Sequence, residues 1–424
     1  MRAQPGRVVT AVVTWRGEYL GAVEPFPVET PWRHDVRPVA ARLSGLLRVP
    51  VMVLRLVSTE GGDGDRGGSV TYHAEALHRP DQQDLHQLAP APAEFDPADD
   101  ALRAAWATPA GLRAALDWAD RELTVAGRPP VGAPEQVRSW NLSGLFRIPT
   151  ARGAAWLKTT PRFGAPEAEV CRAVAAVDEG LVPAVLAGTE HRVLLDHVPG
   201  QDCWGVPQDA MLEVVDRWAA AQARLAGPTD RPTDRPTAGW QAGIGLADRL
   251  PGTVARRAAE LLASGAVAEL TADELAGAHR LIGRLPALTE ELTACGLPPT
   301  LLHGDFHPGN WRYHEGRTVV LDFSDACLGH PAFDGLRPRG FLPERRWADV
   351  RARWVAAWSA LVPGSDPGRA LELAEPLLHL HLAVRYQEFL DGVEPSERIY
   401  HEGDPASEIR AALASVGDGE PLEA

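Results

Sequence analysis

Leu301-Leu302-His303-Gly304-Asp305-Phe306-His307-Pro308-Gly309-Asn310 is the stretch that decides the fold. It runs on through Trp311–Tyr313, a turn at His314-Glu315-Gly316-Arg317, and Thr318–Leu321 to Asp322. The two apolar runs flanking the turn are predicted to pair as a hairpin. Asn310 then lies at the start of the first strand and Asp322 just past the end of the second, side by side at the open mouth. An amide oxygen and a carboxylate brought together suit Mg²⁺, a hard ion that takes a few oxygen ligands and keeps its waters. Asp305, five residues before Asn310, sits in the same loop and is free to accept a proton. Phosphoryl transfer asks for this arrangement: its loose transition state is helped by positioning and charge neutralisation more than by covalent chemistry.

The neighbouring residues take supporting places. His303 and His307 are expected to orient the loop by hydrogen bonding, and Asp325 and Asp334 to fix the chain after the metal ligand. A competing drawing groups His303, Asp305, His307, Asp322 and Asp325 as a transition-metal cluster of a metal-dependent hydrolase. Asn310 is a poor ligand for zinc, and that drawing leaves the upstream features without a role.

The chief upstream feature is a lysine. The chain has 424 residues, with 42 Lys+Arg against 57 Asp+Glu and a net charge of −15. Lys158 is the one lysine among those 42 cations, the other 41 being arginine. It ends a predicted strand, Ala154–Lys158, where a compact flexible ammonium suits the α- and β-phosphates of a nucleotide. A helix follows from Pro166 to Glu179, with Gly180 just past its end. Glu167 shares the stripe of Val170, Cys171 and Val174 and so faces inward, where a carboxylate needs a partner. Lys158 is the expected partner. Leu194–Gly200 then connects sheet to helices; in a two-lobed kinase this stretch is the hinge, where backbone groups, here around Asp196 and Val198, are expected to meet the adenine.

Composition excludes other classes. The acidic balance argues against nucleic acid as a partner. Trp354–Ser365 is largely apolar but too short to span a bilayer, and no signal peptide is evident. Cys171, Cys203, Cys295 and Cys327 form no C-x-x-C pair and read as reduced thiols of a cytoplasmic protein. Upstream, Val8–Trp15, Val51–Val57 and Ser69–Ala76 read as strands and Val36–Leu47 as a helix, with a loop at Glu60–Gly68. Residues 86–100 read as a linker, Leu102–Leu123 as a helix broken at Thr108-Pro109, and Pro228–Thr237 as a low-complexity loop. The acidic group Asp391, Glu394, Glu397, Glu402 and Asp404 reads as a solvated loop, with recognition of a cationic acceptor as the alternative.

His303-Gly304-Asp305-x-His307-x-x-x-Asn310 and Leu321-Asp322-Phe323-x-Asp325 resemble the two signature stretches of the aminoglycoside phosphotransferase / choline kinase-like family, over about residues 137–400. The resemblance implies an α+β, two-lobed protein kinase-like fold with a β-rich N-lobe and a helical C-lobe. Together with the upstream reading, which lies outside the resemblance, this divides the chain into a small α+β module (1–85), a linker and helix (86–136), an N-lobe with hinge (137–200) and a helical C-lobe (201–424). The resemblance implies ATP and Mg²⁺, with Asp305 as general base, Asn310 and Asp322 as metal ligands and Lys158 on phosphate. The acceptor it implies is a small-molecule hydroxyl, on an aminoglycoside or on a sugar, amine sugar or choline-type metabolite. A catalytically silent nucleotide-binding protein is the reading outside enzymes. No G-x-G-x-x-G precedes Lys158, so the phosphate-covering loop is not placed, and Ser324 stands where protein kinases have glycine after Asp-Phe. No acidic signature helix links residues 1–85 to the Nudix modules they loosely resemble.

Overall fold

The computed structural model describes residues 6–90, 95, 100–226 and 244–416. The loop expected at Pro228–Thr237 and most of residues 91–99 of the expected linker lie outside the described residues. The chain is mixed α+β and divides into two compact units. The first comprises residues 1–163, 186–197 and 389–402; the second comprises 164–185, 198–388 and 403–424.

The first unit begins with β1 (Arg7–Trp15), β2 (Glu18–Val28), β3 (Val51–Glu60) and β4 (Ser69–Ala76), ordered β2-β1-β4-β3 with β1 parallel to β4. The strand β2 is absent from the sequence reading. It carries Pro25 and Pro27, which argue against a central strand, but it lies at the sheet edge, where a missing ladder N–H is tolerated. The helix Arg37–Leu47 presents Val39, Leu43 and Leu47 at four-residue spacing to this sheet's core. The Gly-rich loop after β3 folds around Arg33. That buried guanidinium donates to the carbonyls of Gly61 (2.8 Å), Gly64 (2.7 Å) and Gly67 (3.2 Å). A Cβ at Gly62 would stand 2.5 Å from Arg33 Nη2, so the wrap needs glycine there.

A second sheet follows: β5 (Glu135–Trp140), β6 (Ser143–Thr150), β7 (Gly153–Thr159), β8 (Val185–Thr189) and β9 (Arg192–Asp196), in the order β5-β6-β7-β9-β8. Its core takes Phe146, Ile148, Leu157 and Leu194 from the sheet and Leu112, Ala115, Ala119 and Leu123 from the helix Pro109–Val125. Thr108 caps that helix by accepting the Gly111 N–H at 3.0 Å, which explains the break expected there. The strand β3 serves both cores. Val51, Val53 and Leu56 join the first, Met52 and Leu54 the second. Burial on both faces gives β3 a continuous apolar run instead of an alternating one. Gln136 of β5 clamps it, its amide exchanging two 2.7 Å hydrogen bonds with the Val53 backbone.

In the second unit two small sheets sit among helices. One orders β10 (Gln201–Asp202), β13 (Trp311–His314) and β14 (Arg317–Val320) as β10-β13-β14; the other orders β11 (Ala247–Arg249), β12 (Thr300–Leu302) and β15 (Cys327–Gly329) as β11-β15-β12. The expected hairpin is β13–β14, with Trp311 opposite Val320. Its core is aromatic: Trp218, Phe306, Trp311 and Phe323 are all buried, with Phe306 and Trp311 centroids 4.7 Å apart. All four cysteines are free buried thiols, and among the described residues no helix is long and apolar enough to cross a membrane.

Candidate active site

The site in the second unit is built on the loop between β12 and β13. The strand β12 ends at Leu302, and His303 follows, fully buried. Its Nε2 lies 2.8 Å from the Leu321 carbonyl, and its Nδ1 accepts the Asp305 N–H at 3.1 Å. Those partners assign the proton to Nε2, so His303 ties the loop to the end of β14 and sets the backbone of Asp305. Asp334 reinforces the turn. Its buried carboxylate accepts from the N–H groups of His303 (2.8 Å) and Gly304 (3.1 Å), from Trp218 Nε1 (2.9 Å) and from Gln222 Nε2 (3.0 Å). Gly304 adopts φ +83°, and a Cβ there would lie 2.2 Å from the Asp325 carbonyl oxygen. Only glycine passes this point without displacing the chain.

Asp305 emerges from the turn with both oxygens occupied. Its Oδ1 accepts from Arg337 Nε at 2.9 Å and pairs with Nη2 at 2.8 Å, so two guanidinium nitrogens converge on one oxygen. Its Oδ2 accepts from Asn310 Nδ2 (3.1 Å) and lies 3.2 Å from His307 Nε2. Burial alone would raise this carboxyl. The Arg337 guanidinium, the hydrogen bond from His307 and the nearby His303 outweigh it and hold Asp305 well below the usual carboxylate range. Arg337 is absent from the sequence reading. In a chain with 41 arginines a single one carries no signal, and the hint available was its place three residues after Asp334, on the short helical turn that also anchors His303.

The open mouth of the hairpin holds the remaining pair. Asn310 gives its amide nitrogen to the Asp305 carbonyl (2.9 Å) and carboxylate, bonds in which its Oδ1 takes no part. The Leu321 N–H donates to the Asn310 carbonyl at 2.8 Å, which draws Asp322 alongside. Asp322 adopts φ +65°, and its Oδ1 accepts from Ser324 Oγ at 2.7 Å. Glu167 is buried, and its Oε1 accepts the Phe323 N–H at 3.1 Å, so the helix Glu167–Val177 is coupled to the segment carrying Asp322. Asp325 is taken up by Arg385, at 3.0 and 2.8 Å, and so steadies the loop. Among the described residues no three His, Cys, Asp or Glu side chains converge as a metal cluster.

Lys158 and Asp196 belong to the first unit. Lys158 lies on β7 between Leu145 and Val193 and is only 6 % exposed. Asp196 ends β9, and its side chain is engaged by Arg128 at 2.8 Å and by the His197 N–H, so any contact with a base would fall to its backbone. The Arg128 hydrogen bond is the largest of the influences that hold its carboxyl low. Val198 belongs to the second unit and is half-buried. The acidic group near the C-terminus differs from the expected solvated loop. Glu394 and Glu397 are buried, Glu394 pairing with Arg103 (3.0 Å) and Arg55 (3.4 Å), and Glu397 Oε1 accepting the Leu56 N–H. Segment 389–402 packs as part of the first unit, and two of the five carboxylates are consumed in its core.

The sequence model described as the phosphotransferase enzyme family, APH, matches residues 145–373. Among solved structures, a choline kinase from Cryptosporidium parvum aligns at 10 % identity over 67 % of this chain and 88 % of its own, with a TM-score of 0.48. A macrolide 2′-phosphotransferase from Brachybacterium faecium aligns at 19 % identity over 72 % and 98 %, TM-score 0.41. A choline/ethanolamine kinase family protein from Mesorhizobium loti aligns at 17 % identity over 71 % and 98 %, TM-score 0.45. Curated proteins gave no significant match.

Proposed function

The chain belongs to the phosphotransferase enzyme family, and on that premise we propose that it moves the γ-phosphoryl group of ATP to a hydroxyl of a small molecule. The observation that carries this is the placement of the Asp305 carboxylate, held by Arg337 on one oxygen and by Asn310 and His307 on the other. The acceptor hydroxyl donates its hydrogen bond to Asp305 Oδ2 and is thereby aligned. Its oxygen forms the new P–O bond as the bond to the β–γ bridging oxygen breaks, and ADP leaves. Because Asp305 binds protons weakly, it takes the hydroxyl proton late, once the attacking oxygen has given up electron density to phosphorus.

Asn310 Oδ1 and the Asp322 carboxylate are an all-oxygen donor set, which suits Mg²⁺ and not zinc. When bound there, Mg²⁺ supplies charge neutralisation for the phosphate oxygens. Lys158 is assigned to the α- and β-phosphates from its strand position and burial, and Asp196 and Val198 to the adenine through backbone groups. Both ring nitrogens of His303 are engaged by backbone groups and Asp325 is held by Arg385, which disfavours the metal-hydrolase alternative. The test is Asp305→Asn. Transfer from MgATP to any accepted hydroxyl compound should fall by about 10³-fold or more, while MgATP still raises Tm. Full transfer in that variant would remove Asp305 from its role, and stabilisation by Zn²⁺ but not by MgATP would revive the hydrolase.

A further inference from the structure

Beside Asp305 stands an aromatic wall that the chemistry above does not use. Trp204 follows β10 and is 47 % exposed, although its neighbours Cys203 and Val206 are buried. A lone exposed tryptophan needs no explanation; this one is held from several sides. The Cys203 N–H donates to the carbonyls of Pro308 (2.9 Å) and Trp311 (3.1 Å) of the catalytic loop. Arg346 donates to the Trp204 carbonyl at 3.1 Å and to the Val206 carbonyl at 3.3 Å. The indole lies so close over Gly309 that a Cβ there would stand 2.7 Å from Trp204 Cζ2. Its ring is 5.7 Å from His307 and 6.1 Å from Phe341, and His307 and Phe341 stack at 4.1 Å and 12°. The far edge of the His307 imidazole is the one 3.2 Å from Asp305 Oδ2. One ring width therefore separates an exposed, immobilised indole from the carboxylate that receives the acceptor.

We infer that the acceptor is a neutral, polyhydroxylated six-membered ring, a pyranose or cyclitol, whose C–H face rests on Trp204 while one ring hydroxyl meets Asp305. This rests on the phosphotransfer reading above. A rigid aromatic face next to a few polar groups is the combination that fixes a ring's orientation. The charges around this wall point to a neutral ligand. Arg337 lies 4.8 Å over Phe341 and Arg346 reaches the Trp204 carbonyl, while the carboxylates of Asp305 and Asp202 are already paired with Arg337 and Arg312. A quaternary ammonium on this indole would gain the ring's attraction but would sit beside the Arg337 and Arg346 guanidiniums, with the carboxylates of Asp305 and Asp202 already paired.

The experiment is transfer of phosphate from MgATP to glucose, N-acetylglucosamine and myo-inositol on one side and to choline, ethanolamine and homoserine on the other. A neutral ring compound should be the best acceptor. Trp204→Ala should then raise its KM about 10–50-fold and leave the KM for MgATP within about twofold, and Trp204→Phe should recover most of the loss; a merely structural tryptophan would shift both KM values and Tm together. A charged or acyclic compound as best acceptor, or an acceptor KM unmoved in Trp204→Ala, overturns the inference and leaves phosphotransfer standing. Transfer to no hydroxyl compound at all removes both.

Discussion

Removing the Arg337 guanidinium tests how Asp305 is held, and Arg337→Met does so while keeping most of the stem. The two side chains are 17 % and 29 % exposed. Breaking a fully buried pair by deleting one partner costs about 3–5 kcal/mol; with this residual solvent access we place the loss nearer about 2 kcal/mol. In a unit of this size that lowers Tm by about 4–8 °C. The pH dependence carries more information. In the wild type Asp305 is depressed, so its stabilisation is fully present above the unfolded value of about 3.9 and is lost only as pH falls through the lower folded value. In the variant, burial, already the largest single influence, loses its chief opponent and pushes the carboxyl up, so ionised Asp305 is disfavoured as pH rises. The Tm gap between wild type and variant should therefore already be present at pH 4, where wild-type Asp305 is ionised, and widen further toward pH 7.5 as ionising a buried carboxyl destabilises the variant. In turnover, kcat/KM of the variant should gain an acidic limb that the wild type lacks. A Tm gap constant with pH, together with a wild-type pH–rate profile, would refute the control of Asp305 by Arg337.

Three further outcomes follow from the same geometry. Asp334→Asn replaces an oxygen that meets N–H donors with another N–H donor, and should cost about 3–5 kcal/mol in urea unfolding; a loss under about 1 kcal/mol would show that the turn does not depend on its charge. Gly304→Ala forces a Cβ against the Asp325 carbonyl at positive φ, so it should lower stability by about 2–3 kcal/mol and impair turnover through the displaced Asp305. Lys158→Arg keeps the charge on β7 but not the compact ammonium, and should reduce kcat/KM for ATP about tenfold or more with little change in Tm; full activity would show that any cation serves there.

The layout of the 303–322 segment was legible because its geometry is local. The spacing from Asp305 to Asn310 and the hairpin joining Asn310 to Asp322 are properties of one short segment, and β13–β14 forms where alternation and the turn at Glu315-Gly316 place it. What escaped the sequence depends on contacts between distant segments. The pairing of Arg337 with Asp305 spans 32 residues. The burial of Glu394 depends on Arg55 and Arg103, some 300 residues earlier, so a run of acids that reads as solvated becomes part of a core. The strand β2 was hidden by two prolines whose harmlessness becomes visible only when the strand is known to be an edge. Trp204 carried no motif at all, and its place over Gly309 is fixed by backbone hydrogen bonds from Cys203.

The loop that wraps Arg33 is, in inorganic terms, a coordination shell whose ion is tethered to the chain. Carbonyl oxygens converge on a positive centre as they would on calcium, yet the centre has no free concentration, exchanges with nothing and has no dissociation constant of its own. Chelators and ionic composition have no purchase on it, so the Gly61–Gly67 loop should stay ordered in EDTA where a true metal loop would open. The tether also sets a geometric demand that a spherical ion does not. The donors leave in a planar fork toward four carbonyls, those of Gly61, Gly64, Arg66 and Gly67, so a lysine at 33, with its single ammonium, would satisfy the charge and leave the shell incomplete.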